Sequence, residues 1–270
     1  MSYRPRVFIA QTLVRIGQFI RSLALMVMRP DDLIEFGRQS YSEPRSVDSW
    51  AAETLVDPGL LDNEKALVDS LPIKQGDLLV LGVGGGREAI PLAKMGFKVT
   101  GVDFVPTLVR RAEDNARRHG VGLTGVVGEI SRIDFPADSF DVIMLSAAMY
   151  SCVPTRKRRL GMLDRIRRAL KPGGYFLCQF HWDPSFRPDA KAEILRKAAA
   201  VLTLGNLGYE RGDMLWGYIE FVHAFTSEEE LRQEFSQGGF DILKLHMLDK
   251  TLRGGALLRK PSAPAGAVRP

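Results

Sequence analysis

Six consecutive residues, Gly82-Val83-Gly84-Gly85-Gly86-Arg87, have the types needed to bring a ligand against bare backbone. The run follows the apolar stretch Leu78-Leu79-Val80-Leu81, so a strand feeds a tight glycine turn that opens a helix. Asp103 lies 21 residues beyond Gly82, at the end of the next apolar stretch, where a carboxylate can accept hydrogen bonds from both hydroxyls of a ribose. A dinucleotide site wants a small residue at the sixth loop position, and here that position is Arg87. Glycines at 82, 84 and 86 suit instead a ligand with an adenosine and an amino-acid tail but no pyrophosphate. Arg87, at the helix start, is placed to meet that tail's carboxylate.

These residues need strands and helices in alternation to hold them. The pattern predicts strands at 77–81, 98–102, near 123–127, and at 140–145 and 175–180, with helices at about 87–95, 106–118 and 155–170 between them. Helix-length crossovers between short apolar strands require parallel pairing and helices on both faces of the sheet, an α/β fold. A last helix is expected from about Glu228 to Phe235, capped by Phe225-Thr226-Ser227 and ended by Gly238-Gly239. Runs 240–247 and 256–259 follow closely enough to be antiparallel partners at one edge. Residues 1–59 read as a helical cap or lid, 60–260 as the main domain with a cap insert at about 184–224, and 261–270 as a disordered tail.

Several motifs in the right order resemble the class I S-adenosylmethionine-dependent methyltransferases. Residues 78–103 are similar to that family's first two motifs. Gly128-Glu129-Ile130 and Asp138 to Ile143 resemble the third and fourth, and Leu163 to Gly174 and Phe225 to Phe240 resemble its last segments. The resemblance implies a seven-stranded Rossmann-like sheet, mostly parallel with an antiparallel last strand. It also implies S-adenosylmethionine as cofactor and S-adenosylhomocysteine as product. Gly82, Gly84 and Gly86 would surround the methionine part, with Val83 beside them, and Asp103 and its neighbour Phe104 would hold the ribose side. Glu129 would sit near the adenine amino group, Ile130 beside the ring, and Ser146 would face the sulfonium. Val80 stands where the family usually carries an acid, so the methionine amino group must lean on backbone carbonyls or another side chain.

A sulfonium-bound methyl is already activated, and a base is needed only when the acceptor arrives protonated. Candidates follow the fourth and fifth strands, Tyr150 and His181, with His181 the preferred base; a hydrogen-bonded loop histidine is the equally weighted alternative. His223 and His246 lie in apolar runs and read as structural. Aromatics in the cap segments, among them Phe36, Tyr41, Trp50, Tyr209, Trp216 and Tyr218, suit an organic acceptor; Tyr41 either closes over the cofactor or packs the lid.

The two cysteines, Cys152 and Cys178, form no framework, and no Cys/His cluster has metal-ligand spacing. A reducing cytoplasm is the simplest compartment, and no metal is expected. The net charge of +5 is too small to define a partner. Arg156, Lys157, Arg158, Arg159, Arg165 and their neighbours crowd one helix, but Leu160, Leu163, Ile166 and Leu170 give it an inward face and no aromatics interleave. Those charges read as a solvated outer face, which argues against nucleic acid. From Val7 to Met28 the chain reads as an amphipathic helix with Gln11, Arg15, Gln18 and Ser22 on one stripe; a cap, a dimer contact or a peripheral membrane anchor would each use it. A non-catalytic partner protein of the same fold is the remaining alternative, with Val80 as its support.

Overall fold

The computed structural model describes residues 5–145, 147–187, 190–217, 220–248 and 252–262. Helices α1 (Pro5–Val27), α2 (Pro30–Ser42), α3 (Pro44–Trp50) and α4 (Glu53–Val56) form the N-terminal segment, followed by α5 (Asp62–Asp69). Proline opens the first three, where its fixed φ suits a first helical turn and its missing N–H costs no bond. The alternating series is β1 (Gly76–Leu81), α6 (Ala89–Lys94), β2 (Phe97–Asp103), α7 (Pro106–Arg118), β3 (Leu123–Val127) and β4 (Phe140–Leu145), then a 3-10 turn at Met149–Cys152, α8 (Arg156–Ala169) and β5 (Leu170–His181). The insert carries α9 (Ala190–Thr203) and a hairpin of β6 (Asp213–Trp216) and β7 (Glu220–His223), and α10 (Glu228–Gln237), β8 (Asp241–Leu248) and β9 (Arg253–Arg259) complete the chain.

The seven strands of the main sheet run in the order β3-β2-β1-β4-β5-β9-β8. All pairs from β3 to β5 are parallel; β9 is antiparallel to both β5 and β8. The order reverses between β1 and β4, which opens a crevice at their carboxyl ends, the place where open α/β sheets take ligands. Side-chain alternation divides the core into two layers. Leu79, Leu81, Ile143 and Leu145 pack with α8 and α10, whereas Leu78, Val80, Val142 and Met144 pack with α5, α6 and α7. Each such fully buried aliphatic side chain contributes about 1.5–3 kcal/mol relative to exposure, so the sheet is a rigid platform for the loops at its edge.

Two expectations are corrected here. Arg159 of α8 does not belong to a solvated face: it is fully buried, because the helix turns it inward onto Glu234 and Glu210. Arg158 also folds inward, its Nε donating to Ser131 Oγ at 2.7 Å. Ser227 occupies the cap position of α10, but its side chain makes no capping bond. Ser146, Tyr218 and the tail from 263 lie outside the described residues. No described helix is long and apolar enough to cross a membrane.

Candidate cofactor and acceptor site

A cavity of about 170 Å3 opens at the carboxyl ends of β1, β2 and β4, beneath the N-terminal helices. Its floor is the glycine turn. Gly82 and Gly84 have φ of +78° and +50°, a conformation that glycine adopts without the steric cost of a side chain. A Cβ on Gly84 would point into open space, which leaves that backbone exposed to a ligand. Asp103 is almost fully buried at the end of β2, and its two oxygens accept from the N–H groups of Gly84 and Val105, both at 3.0 Å. Burial raises its pKa, and these backbone bonds oppose the rise. Each oxygen keeps a lone pair for a further donor, as ribose hydroxyls require.

The remaining wall comes from four places. Phe104 follows Asp103, and Tyr41 of α2 lies over it with ring centroids 6.3 Å apart. Glu129 and Ile130 follow β3; Glu129 accepts from both the backbone N–H and the hydroxyl of Ser131, at 2.7 and 2.8 Å. Ala147 and Met149 follow β4, where Ala147 and Ala148 both hold positive φ. This turn is held by Gln179, whose Oε1 accepts from the Ala147 N–H at 3.0 Å; strained backbone held in this way is common at functional edges. Glu220 and Phe221 of the inserted hairpin close the far side.

Of the residues singled out from the sequence, Gly82, Val83, Gly84, Arg87, Asp103 and Phe104 line this cavity, as do Glu129, Ile130 and Tyr41. Gly86 does not: a side chain there would meet Ile90 and Ala112 at 3.4–3.5 Å, so its role is close packing of the loop against α7. Arg87 is committed elsewhere. Its guanidinium makes a two-pronged bridge to Glu64 at 2.6 and 2.7 Å, pairs with Glu88 and donates to the Gly59 carbonyl. The expected tail contact would have to break that bridge.

Neither sequence candidate for catalysis faces the cavity. Tyr150 is fully buried beneath the 3-10 turn, its hydroxyl donating to Glu234 at 2.6 Å; burial, before any other cause, drives its pKa upward. It is therefore a core residue, in the same network as Arg159. His181 packs on Trp216 with ring centroids 4.8 Å apart, outside the cavity wall. Burial, aided by Arg253, lowers its pKa. His223 is buried as the pattern implies, 2.7 Å from Asp213. Glu210, Asp213 and His223 bring ligand-type atoms within 4.8 Å of one another, yet cationic partners already fill the cluster, because Arg159 binds Glu210 at 2.8 Å and His223 is held protonated.

Glu220 escaped the sequence reading. It sits on a strand one residue before the apolar Phe221-Val222, and its only signal is an isolated acid in an apolar and aromatic run. Its carboxylate accepts from the Tyr41 hydroxyl at 2.7 Å and faces Cys152 Sγ at 3.7 Å. Burial raises its pKa, and those two partners pull it part of the way back. With Glu88, Asp103 and Glu129 it makes four carboxylates against one guanidinium on the cavity wall, a negative surface that favours a cation. Val80 is wholly inside the core and offers nothing to this wall.

The fold is Rossmann-like, with an open glycine turn and a buried aspartate at the edge where such sheets take ligands. Residues 79–178 match the methyltransferase domain family. The chain is 35% identical over 136 residues to a ubiquinone biosynthesis O-methyltransferase of Paramagnetospirillum magneticum, covering 50% of this chain and 51% of that protein. It is also 35% identical over 103 residues to a ribosomal protein L11 methyltransferase of Thermus thermophilus, covering 38% and 37% of the two chains. The chain thus spans about half of the first relative's length and 37% of the second's. A solved S-adenosylmethionine-dependent methyltransferase of Methanosarcina mazei superposes with a TM-score of 0.58 at 24% identity, over 76% of this chain and all of that one, which shows the shared fold. The cofactor of this family is S-adenosylmethionine, and the open Gly84 backbone, the Asp103 lone pairs and the anionic wall fit such a ligand.

Proposed function

We propose that the protein transfers a methyl group from S-adenosylmethionine to a small organic acceptor whose attacking atom arrives carrying a proton. The observation that carries this reading is the cavity wall itself: four carboxylates and one guanidinium suit a ligand with a sulfonium and an ammonium, and repel the phosphates of a nucleic acid. The cofactor, when bound, supplies an activated methyl group. Asp103 takes the ribose hydroxyls, and Phe104 with Ile130 borders the adenine. Glu88, which lines the cavity beside Arg87, takes over the counter-charge that Val80 does not provide.

Glu220 is the base. A buried carboxylate with a raised pKa is better matched to accept a proton near neutrality than an ordinary surface glutamate. As the acceptor's oxygen or nitrogen gains the methyl, its proton passes to Glu220, and Tyr41 keeps the carboxylate oriented through the 2.7 Å bond. The two curated relatives named above carry different acceptors in their names; the cap segments 1–59 and 184–224 are where the acceptor is chosen.

The test is transfer of labelled methyl from S-adenosylmethionine to a panel of phenols, catechols and amines. Turnover with a protonated acceptor that fails in Glu220→Gln supports the reading. Transfer only to RNA or protein, or transfer indifferent to Glu220, contradicts it.

A further inference from the structure

From residue 5 to residue 20, every residue of α1 is exposed. Leu13, Val14 and Ile20 have 59–63% of their surface in contact with solvent, and Ile9 has 57%. In proteins a helix draws most of its stability from packing of its amphipathic face, and an exposed apolar stripe needs a covering. At about 100° per residue, Ile9, Leu13, Ile16 and Ile20 form one stripe, opposite Gln11, Arg15 and Gln18. The neighbouring helix α9 and its following turn add Ile194, Leu202 and Leu207, each at least 66% exposed. The two helices are joined at their base: Asn206 N–H donates to Met26 O at 2.7 Å, and Arg29 Nε to Leu204 O at 3.2 Å.

We infer that α1 and α9 form a docking surface for an anionic lipid bilayer. Charge decides between a bilayer and a second copy of the chain. Residues 1–29 hold five arginines, at 4, 6, 15, 21 and 29, and no acidic residue. Two copies packed along this stripe would gather the arginines of both segments with no acidic residue in either to pair them. A bilayer with anionic headgroups takes the apolar stripe into its acyl boundary while the exposed Arg6 and Arg15 reach the phosphates. No described helix has the length and hydropathy to span, so the helix lies along the surface.

The surface leads to the site. Leu25 and Met26, at the base of α1, pack in one cluster with Leu33 and Phe221, and these two also line the cavity. An acceptor dissolved in the bilayer therefore meets the cavity wall beside the docking helices. That last step, a lipophilic acceptor, rests on the methyl-transfer reading; the docking itself does not.

The experiment is co-sedimentation of the full chain, without cofactor, with vesicles of phosphatidylcholine alone or mixed with phosphatidylglycerol. Binding to the mixed vesicles is expected, weakened by 0.5 M salt and by removal of the anionic lipid. The double substitution Leu13→Glu/Ile20→Glu, on exposed positions, should reduce partitioning about tenfold or more while the melting temperature of the domain stays unchanged. Failure to bind anionic vesicles, or equal binding by the variant, overturns the inference. So does a stable dimer at low micromolar concentration that the variant abolishes, since the covering would then be a second copy. Because no methyl transfer is read, these outcomes are independent of whether the proposed reaction holds.

Discussion

Tyr41 donates its hydroxyl proton to Glu220 at 2.7 Å, which joins the N-terminal segment to a hairpin 179 residues further along the chain. This bond ties two residues of the cavity wall together, and it would place the proposed base under the control of the N-terminal segment. Glu220→Gln should lower kcat by about 100- to 10,000-fold, the range for loss of a general base. Tyr41→Phe removes a hydrogen bond that favours the ionised carboxylate. The acidic limb of the kcat/KM profile, which lies above the ordinary glutamate range because burial raises this group, should then move to still higher pH. A rate profile unchanged in both variants would remove Glu220 from the mechanism.

Tyr150 gives the opposite expectation. Its hydroxyl ends on the buried Glu234, which Arg159 holds with Nε at 3.0 Å and a terminal nitrogen at 2.6 Å. Tyr150→Phe should cost about 1–3 kcal/mol of stability and leave kcat/KM unaltered. Arg159→Met should cost about 3–5 kcal/mol, because Glu234 would remain buried with only the more distant Arg156, at 3.8 Å, to pair it. Denaturant unfolding beside steady-state kinetics separates the two effects.

His223 makes the stability depend on pH. Burial alone would push its pKa down, but hydrogen bonds to Asp213 and Glu230 prevail and raise it to about 9. The folded value exceeds the ordinary 6.5, so the stabilisation is complete below about pH 6.5 and is lost as pH rises through about 9. Melting temperature should fall across that interval in the wild type, and the slope should flatten in His223→Gln. An equal slope in both would assign the effect to another group.

The lid must also move. A cavity of about 170 Å3 is smaller than the roughly 300 Å3 at the lower end for drug-sized ligands, so cofactor and acceptor together require more room. The end of α3 is pressed on the glycine loop: a side chain on Gly85 would collide with the Trp50 carbonyl, and Asn115 Nδ2 ties Gly85 O to Ala51 O at 2.8 and 3.2 Å. Trp50 fluorescence should change when S-adenosylhomocysteine binds, and Trp50→Phe should abolish most of the change. A signal unaffected by that substitution would leave the lid fixed.

The sheet was legible because its information is local. Apolar runs at 77–81, 98–102 and 140–145 sit between helix-length spacers, and the observed strands extend them by no more than a residue at either end. The glycine turn and Asp103 were legible for the same reason, since a strand, a turn and the next strand's end are fixed by nearby chain. What escaped was non-local. Glu220 acquires its role only where the inserted hairpin meets α2 and Cys152. Arg159 reads as one more charge on a basic helix until α10 supplies Glu234. Tyr150 and His181 follow the right strands, but the 3-10 turn buries the first and Trp216 covers the second. Position along a strand edge does not say which way the following loop turns its side chains.

The central claim is a cofactor site built from Asp103 and the glycine turn. Calorimetric titration of S-adenosylmethionine and S-adenosylhomocysteine into the protein, with NAD as control and Asp103→Asn alongside, tests it most directly. Micromolar binding of both sulfur ligands is expected, with none of NAD and a loss of about tenfold or more in a variant that still folds. Absence of binding by the wild-type protein, or binding indifferent to Asp103, would contradict it.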